Sequence, residues 1–125
     1  MNIEVGLRGE ASLIVTASDT ARAMRSGTVD VLATPRVIAL CEEATVAALA
    51  DRLPEGHTTV GMRVQIDHLQ PTPVGATVEA EATLERIEGR RLTFTVSAAD
   101  TRGLVAAGKV TRVLVEVDRF NSKVR

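Results

Sequence analysis

Residues 34–53 read TPRVIALCEEATVAALADRL, and residues 60–75 read VGMRVQIDHLQPTPVG. These two stretches decide the fold. The first has the period of a helix. Thr34 can accept a backbone N–H as N-cap, and Pro35 then falls on the first helical position, where its missing N–H costs nothing. Val37, Cys41, Ala44 and Ala48 recur at steps of four and three on one face. Ile38, Leu40, Thr45, Ala47 and Leu49 widen that face. About eighteen helical residues span roughly 27 Å. A helix apolar over most of its circumference is wrapped by other structure rather than laid on a surface. Pro54 and Gly56 end it.

The second stretch has a period of two. Val60, Met62, Val64 and Ile66 alternate with Gly61, Arg63, Gln65 and Asp67, until Pro71, Pro73 and Gly75 break the pattern. The same alternation returns in Val78, Ala80, Ala82 and Leu84, and again in Leu92, Phe94, Val96 and Ala98. Glu88-Gly89-Arg90 is the hairpin turn between them, and Asp100 to Gly103 turn the chain once more. Leu104–Val117 is a last long strand, with Gly108 marking a bend or bulge. Upstream, Ser12–Thr16 (SLIVT) reads as a first strand, and Ala17–Asp30 as a loop placed to lie over a pocket. The order is therefore strand, long helix, four strands. The last three pair as an antiparallel meander whose apolar face the helix covers, an α+β two-layer solution.

Composition narrows the function classes. At 125 residues the chain is one domain, 1–125, too short for a (β/α)₈ barrel or a full dinucleotide fold. Phe94 and Phe120 are the only aromatic residues and the net charge is -1, which argues against a nucleic-acid binder. No apolar run is long enough to span a membrane. Cys41 is alone, so no intrachain disulfide or thiolate metal site forms, and a reducing cytoplasm fits. The two histidines, eleven apart, match no zinc spacing, and no phosphate-cradling glycine motif is present. Charge is uneven. Lys109–Arg125 carries a net +3 and the remainder a net -4. The basic end is either a solvated tail or a surface for the phosphates of a small ligand.

The order of elements, the spacing of Thr34 and Glu42, Gly61, the His68 segment with Thr72-Pro73, Gly89-Arg90-Arg91-Leu92, and Arg112 followed by RFNSKV together resemble a known family. It is that of the hot-dog-fold acyl-CoA thioesterases, and within it the fluoroacetyl-CoA-specific subfamily. The resemblance covers roughly residues 30–125. It implies a curved antiparallel sheet wrapped around one long central helix, and a homodimer, alone or paired into a tetramer, with active sites at the interface. It places the hydrolytic roles on Thr34, Glu42 and His68, substrate positioning on Gly61, and a further arginine on Arg112. It implies no cofactor beyond the CoA thioester itself, which is substrate. The subfamily uses a phenylalanine-bearing lid to admit a fluorinated acyl group. Here Ser18–Ala33 holds no aromatic residue, so fluoroacetyl specificity does not carry over.

Each candidate also has a plain structural reading. Glu42, between apolar Cys41 and Ala44, is a carboxylate with a raised pKa that moves protons, or a nucleophile on the thioester; with Glu43 it is alternatively the helix's solvent face. His68, at a strand end before a rigid Pro-rich turn, suits proton transfer near neutral pH; by parity it joins Met62, Val64 and Ile66 on the apolar face as a core histidine. Thr34 is an N-cap, an orienting hydroxyl, or both. Gly61 marks a bulge or the close approach of a ligand or another backbone, with a main-chain N–H for an oxyanion. Arg112 shares parity with Val110 and Leu114, so it should be paired, with a carboxylate across the dimer or with the coenzyme, and a purely structural ion pair is at least as good a reading as contact with the ligand. Arg90, Arg91, Arg119 and Lys123 are candidates for the CoA phosphates, and His57 reads as a surface residue. The expected activity is hydrolysis of a small acyl-CoA to acid and CoA. A non-catalytic acyl-CoA binder or structural dimer is the alternative. A hot-dog hydratase fits less well, because that branch sets an Asp several residues before its His, and here Asp67 is adjacent to His68.

Overall fold

The computed structural model describes residues 2–125. Five strands form one antiparallel sheet: β1 (Arg8–Ile14), β2 (His57–His68), β3 (Thr77–Glu88), β4 (Arg91–Asp100) and β5 (Gly103–Glu116). Their spatial order is β1-β3-β4-β5-β2. Helix α1 (Thr34–Ala48) lies in the curve of the sheet, and a short α2 (Val117–Ser122) follows β5. This is the hot-dog arrangement that the sequence implies, with β3, β4 and β5 forming the expected meander.

The alternation in the sequence builds the core. Val78, Ala80, Ala82 and Leu84 of β3, with Leu92, Phe94, Val96 and Ala98 of β4, are all buried against Val37, Leu40, Cys41, Ala44 and Ala48 of α1. Leu84 sits opposite Phe94 in the register, and both are fully enclosed. Burial of each such side chain stabilises the fold by about 1.5–3 kcal/mol. The helix packs chiefly on β1 and β3 and only lightly on β2 and β5. Its far side stays open, with Val46 53% exposed, so the sheet of one chain wraps the helix only in part. No helix is long and apolar enough to cross a membrane among the described residues.

Several boundaries differ from the sequence reading. The helix ends at Ala48 rather than Leu53, because Leu49 leaves helical geometry (φ -98°, ψ 3°) and Asp51 turns left-handed at φ 61°. Strand β1 begins at Arg8, since pairing runs from Arg8 opposite Thr83 to Ile14 opposite Thr77. The segment after it holds one 3₁₀ turn, Ala17–Asp19, and is pinned by bridges from Thr20 to Leu32 and from Val31 to Pro73. The β4–β5 register shift falls near Val105, not at Gly108. Gly108 is glycine because a Cβ there would lie 2.0 Å from the Gln65 carbonyl oxygen on β2. The basic C-terminal stretch is partly helical, and Val117 donates to the Gly56 carbonyl.

The β2 strand departs most from simple alternation. Its pairing with β5 shifts between Gly61 and Arg63, so Met62 is an extra residue in a bulge. Before the bulge Thr59 and Gly61 oppose Leu114 and Arg112; after it Val64, Ile66 and His68 oppose Val110, Gly108 and Ala106. Opposed residues share a face. Gly61 and His68, of opposite parity in the sequence, therefore both face the helix. Met62 does not join His68 on the inner face as parity alone predicts.

Candidate active site

Two groups of side chains converge on the inner face beside α1. The first pairs Thr34 with His68. The Thr34 hydroxyl lies 2.8 Å from Nδ1 of His68. Thr34 is not the N-cap; Ala33 is, with extended geometry (ψ 142°), and Thr34 opens the first turn. Its hydroxyl is thereby free for the histidine. The two meet because the loops carrying them are tied together. Leu32 N–H donates to the Thr72 carbonyl, and the buried Thr72 hydroxyl donates to Asp100 at 3.0 Å. Burial pushes the His68 imidazole below its ordinary value, against an opposing contribution from the Gln70 backbone. Its Nε2 is buried with no hydrogen-bond partner among the described groups. A cleft of about 290 Å³ opens here, lined by Ala21, Gly27, Val29, Val31, Thr34 and His68 among others.

The second group centres on Glu42, one helix face further along. Arg112 donates from Nη1 to Glu42 Oε2 at 3.1 Å, from Nε to the Thr59 hydroxyl at 2.9 Å, and from Nη2 to the Thr59 carbonyl at 3.0 Å. The Arg112 side chain is 9% exposed and that of Glu42 35%. Burial lowers the arginine's pKa and Glu42 opposes that shift. Glu42 therefore sits against a cation, not in the purely apolar wall that its sequence neighbours suggest. The carboxylate that pairs with Arg112 comes from the same chain, not from across a dimer. Gly61 completes the group: a Cβ there would lie 2.6 Å from Glu42 Oε2 and 3.8 Å from Arg112 Nη1. The glycine admits a side chain of its own chain, which explains both the bulge and the close approach. A second, open cleft lies against Ala39, Glu42, Glu43, Val46 and Arg112.

Within one chain the two groups do not merge. Thr34 and Glu42 are eight helical residues apart, about 12 Å of rise, and each lines a different cleft.

Comparison with known proteins identifies the family. The family model for the fluoroacetyl-CoA-specific thioesterase matches residues 15–118. A curated relative, the fluoroacetyl-CoA thioesterase of Streptantibioticus cattleyicolor, is 38% identical over 96 residues, 77% of this chain and 69% of its own. The chain belongs to the fluoroacetyl-CoA-specific thioesterase family. Like that family it is an acyl-CoA thioesterase. A solved structure of the fluoroacetyl-CoA thioesterase FlK superposes with a TM-score of 0.93 at 32% identity, covering 100% of this chain and 97% of the other. A variant of that enzyme solved with acetyl-CoA gives a TM-score of 0.92 at 32% identity, covering 98% of this chain and 97% of the other.

Sequence reasoning missed two supports that this family member uses. Thr59, which holds two of the three Arg112 bonds, fell on the polar side of a simple alternation; only the bulge turns it inward. Asp19 is buried, accepts from the Thr16 backbone and hydroxyl, and meets Arg36 of α1 at 3.2 Å. The Thr16 backbone bond, foremost, holds the Asp19 carboxyl below its usual range. This fastens the segment before the helix onto the first turn of α1. The spacing Thr16-x-x-Asp19, a capping-box pattern, was the available signal.

Proposed function

We propose that the protein hydrolyses a small acyl-CoA, with Glu42, His68 and Thr34 as its catalytic groups. The observation that carries this is the half-buried His68 bonded to Thr34, on the same sheet face as Gly61, which the Arg112-held Glu42 approaches. Arg112 fixes one carboxylate oxygen and leaves the other to attack the thioester carbonyl or to take a proton from water. The register shift beside Gly61 places an extra residue, Met62, in the strand, and a main-chain N–H at this bulge is the donor this reading assigns to the developing oxyanion. The C–S bond breaks, the thiolate leaves and is protonated, and water supplies the oxygen of the free acid. His68, oriented by the Thr34 hydroxyl, carries the proton between water and thiolate.

The working unit in this reading is a homodimer. Strand β2 is an edge strand of twelve residues with Met62 46% and Val64 38% exposed, an edge that invites pairing. Antiparallel pairing of two β2 edges, centred near Val64 and Gln65, sets His68 beside Gly61 of the partner subunit. In this reading the Thr34–His68 pair of one chain then meets the Glu42–Arg112 pair of the other to form one site. A single buried cysteine fits a reducing compartment such as the cytoplasm. The small, apolar lining of the His68 cleft favours a short acyl group, with no aromatic residue to select for fluorine.

Thiol release from a panel running from acetyl-CoA to long-chain and aromatic acyl-CoAs tests the reading. Turnover of short acyl-CoAs, abolished in folded His68→Ala and Glu42→Ala variants, is the expected result. Turnover that survives both substitutions refutes the site.

A further inference from the structure

Asp100, the last residue of β4, does more than its turn requires. Its Oδ1 accepts from the Arg102 backbone N–H at 2.8 Å, the local bond by which an Asp commonly shapes a tight turn. That accounts for one carboxylate oxygen. The other, Oδ2, accepts from the Thr72 hydroxyl at 3.0 Å, 28 residues back along the chain. The Asp100 side chain is 2% exposed. Thr72 is fully buried, although Pro71 and Pro73 on either side of it are exposed. The Arg102 guanidinium meets the same Oδ2 at 3.4 Å and also donates to the Pro71 carbonyl. The β4–β5 turn therefore grips the loop after β2 at two successive residues, Pro71 and Thr72.

Thr72 stands between the two halves of the Thr34–His68 pair. It follows His68 by four residues, and the two prolines fix φ on either side of it. Leu69, next after His68, donates its N–H to the Val105 carbonyl at 2.7 Å. The Thr72 carbonyl accepts at 2.8 Å from the N–H of Leu32, two residues before Thr34, and Pro73 bridges to Val31. One buried threonine thus bonds Asp100 through its hydroxyl and the approach to α1 through its carbonyl. We propose that Asp100 is a positioning residue for hydrolysis, setting the 2.8 Å contact between Thr34 and the His68 imidazole through the Thr72 hydroxyl. The proposal rests on the assignment of that pair to the chemistry. Asp100 lines neither the His68 cleft nor the Glu42 cleft, so its effect on the reaction passes through Thr72.

Three variants test it. Asp100→Asn leaves one acceptor oxygen where the structure uses two, so either the turn N–H or the Thr72 hydroxyl loses its partner. Thr72→Val keeps the shape of the buried side chain and deletes the hydroxyl, and Thr72→Ser keeps the hydroxyl. Dichroism first confirms that each is folded. The kcat and KM for a short acyl-CoA are then measured together with the His68 ring titration by NMR. Displacement of a reacting group by about 1 Å costs on the order of 100-fold, so kcat should fall about 10- to 100-fold in Thr72→Val and Asp100→Asn, with KM within about two-fold of wild type. Thr72→Ser should restore it. Burial holds the His68 midpoint below its ordinary value; the midpoint should rise in Thr72→Val as the loop loosens and stay in place in Thr72→Ser. An unchanged kcat in folded Thr72→Val overturns the proposal, as does a loss that Thr72→Ser fails to restore. A loss of kcat with no movement of the His68 midpoint also overturns it, because the effect then does not pass through the histidine. His68→Ala is run beside them. If it abolishes turnover while Thr72→Val leaves kcat intact, the positioning role fails alone. If His68→Ala keeps wild-type turnover, or no protein cleaves a thioester, the catalytic reading fails and the positioning role with it.

Discussion

Replacing Gly61 by alanine separates stability from catalysis. The new Cβ would stand 2.6 Å from Glu42 Oε2, closer than any van der Waals contact allows, yet the atom it meets is the free end of a flexible side chain. The carboxylate can swing away and the backbone can stay. What is lost is the 3.1 Å bond from Arg112. A hydrogen bond to a charged group contributes about 1.5–3 kcal/mol. With Glu42 one-third exposed, solvent screening brings this down to about 1 kcal/mol. Alanine recovers about 0.5–1 kcal/mol of that, because glycine is the poorer strand residue. Arg112 meanwhile keeps both bonds to Thr59. The melting temperature should therefore move by no more than about 4 °C. Catalysis should respond far more, because a displacement of about 1 Å at a reacting group costs on the order of 100-fold. Thermal unfolding and thiol release on the same preparation provide the check. A Gly61→Ala protein with wild-type kcat would refute the placement of Glu42 at the chemistry, and one that does not fold would refute the claim that only a side chain must move.

Other perturbations have equally definite outcomes. Arg112→Ala strands the Glu42 carboxylate and leaves Thr59 without its partner, so it should destabilise the fold by about 2–3 kcal/mol, read from urea unfolding, and abolish thiol release. The pH profile follows from the depressed His68 value. Between that folded value and the ordinary 6.5 the unfolded chain binds the extra proton and the native site does not, so this histidine's contribution to stability is complete above pH 6.5 and fades as pH falls through that window. The acid limb of kcat/KM in the wild type should likewise lie below 6.5, and a limb lying above 6.5 would contradict it. Cys41 is buried, and burial raises its thiol to about 11. Maleimide should leave it unlabelled at pH 7.5 in the native protein and label it in guanidinium.

The core was legible because its code is local. Alternation in β3 and β4 and the three- and four-residue steps of α1 each name their buried face without reference to the other. The site was legible only in part. Thr34, Glu42 and His68 were chosen by spacing and resemblance, but their partners depend on the bulge at Met62 and on loop ties from Leu32 to Thr72, neither of which any short window of sequence contains. Arg112 is the instructive case. Its parity demanded a partner, and the partner proved to be Glu42, seventy residues away, with Thr59 hidden on what simple alternation made the polar face.

The central claim is that hydrolysis needs Glu42 of one subunit and His68 of the other. Mixing Glu42→Ala and His68→Ala proteins under conditions that exchange subunits tests it most directly. Each variant alone should release no thiol from a short acyl-CoA. Random reassortment makes half the dimers mixed, each with one intact site, so about a quarter of wild-type activity should return. A mixture that forms heterodimers and stays as inactive as its parents would contradict the account.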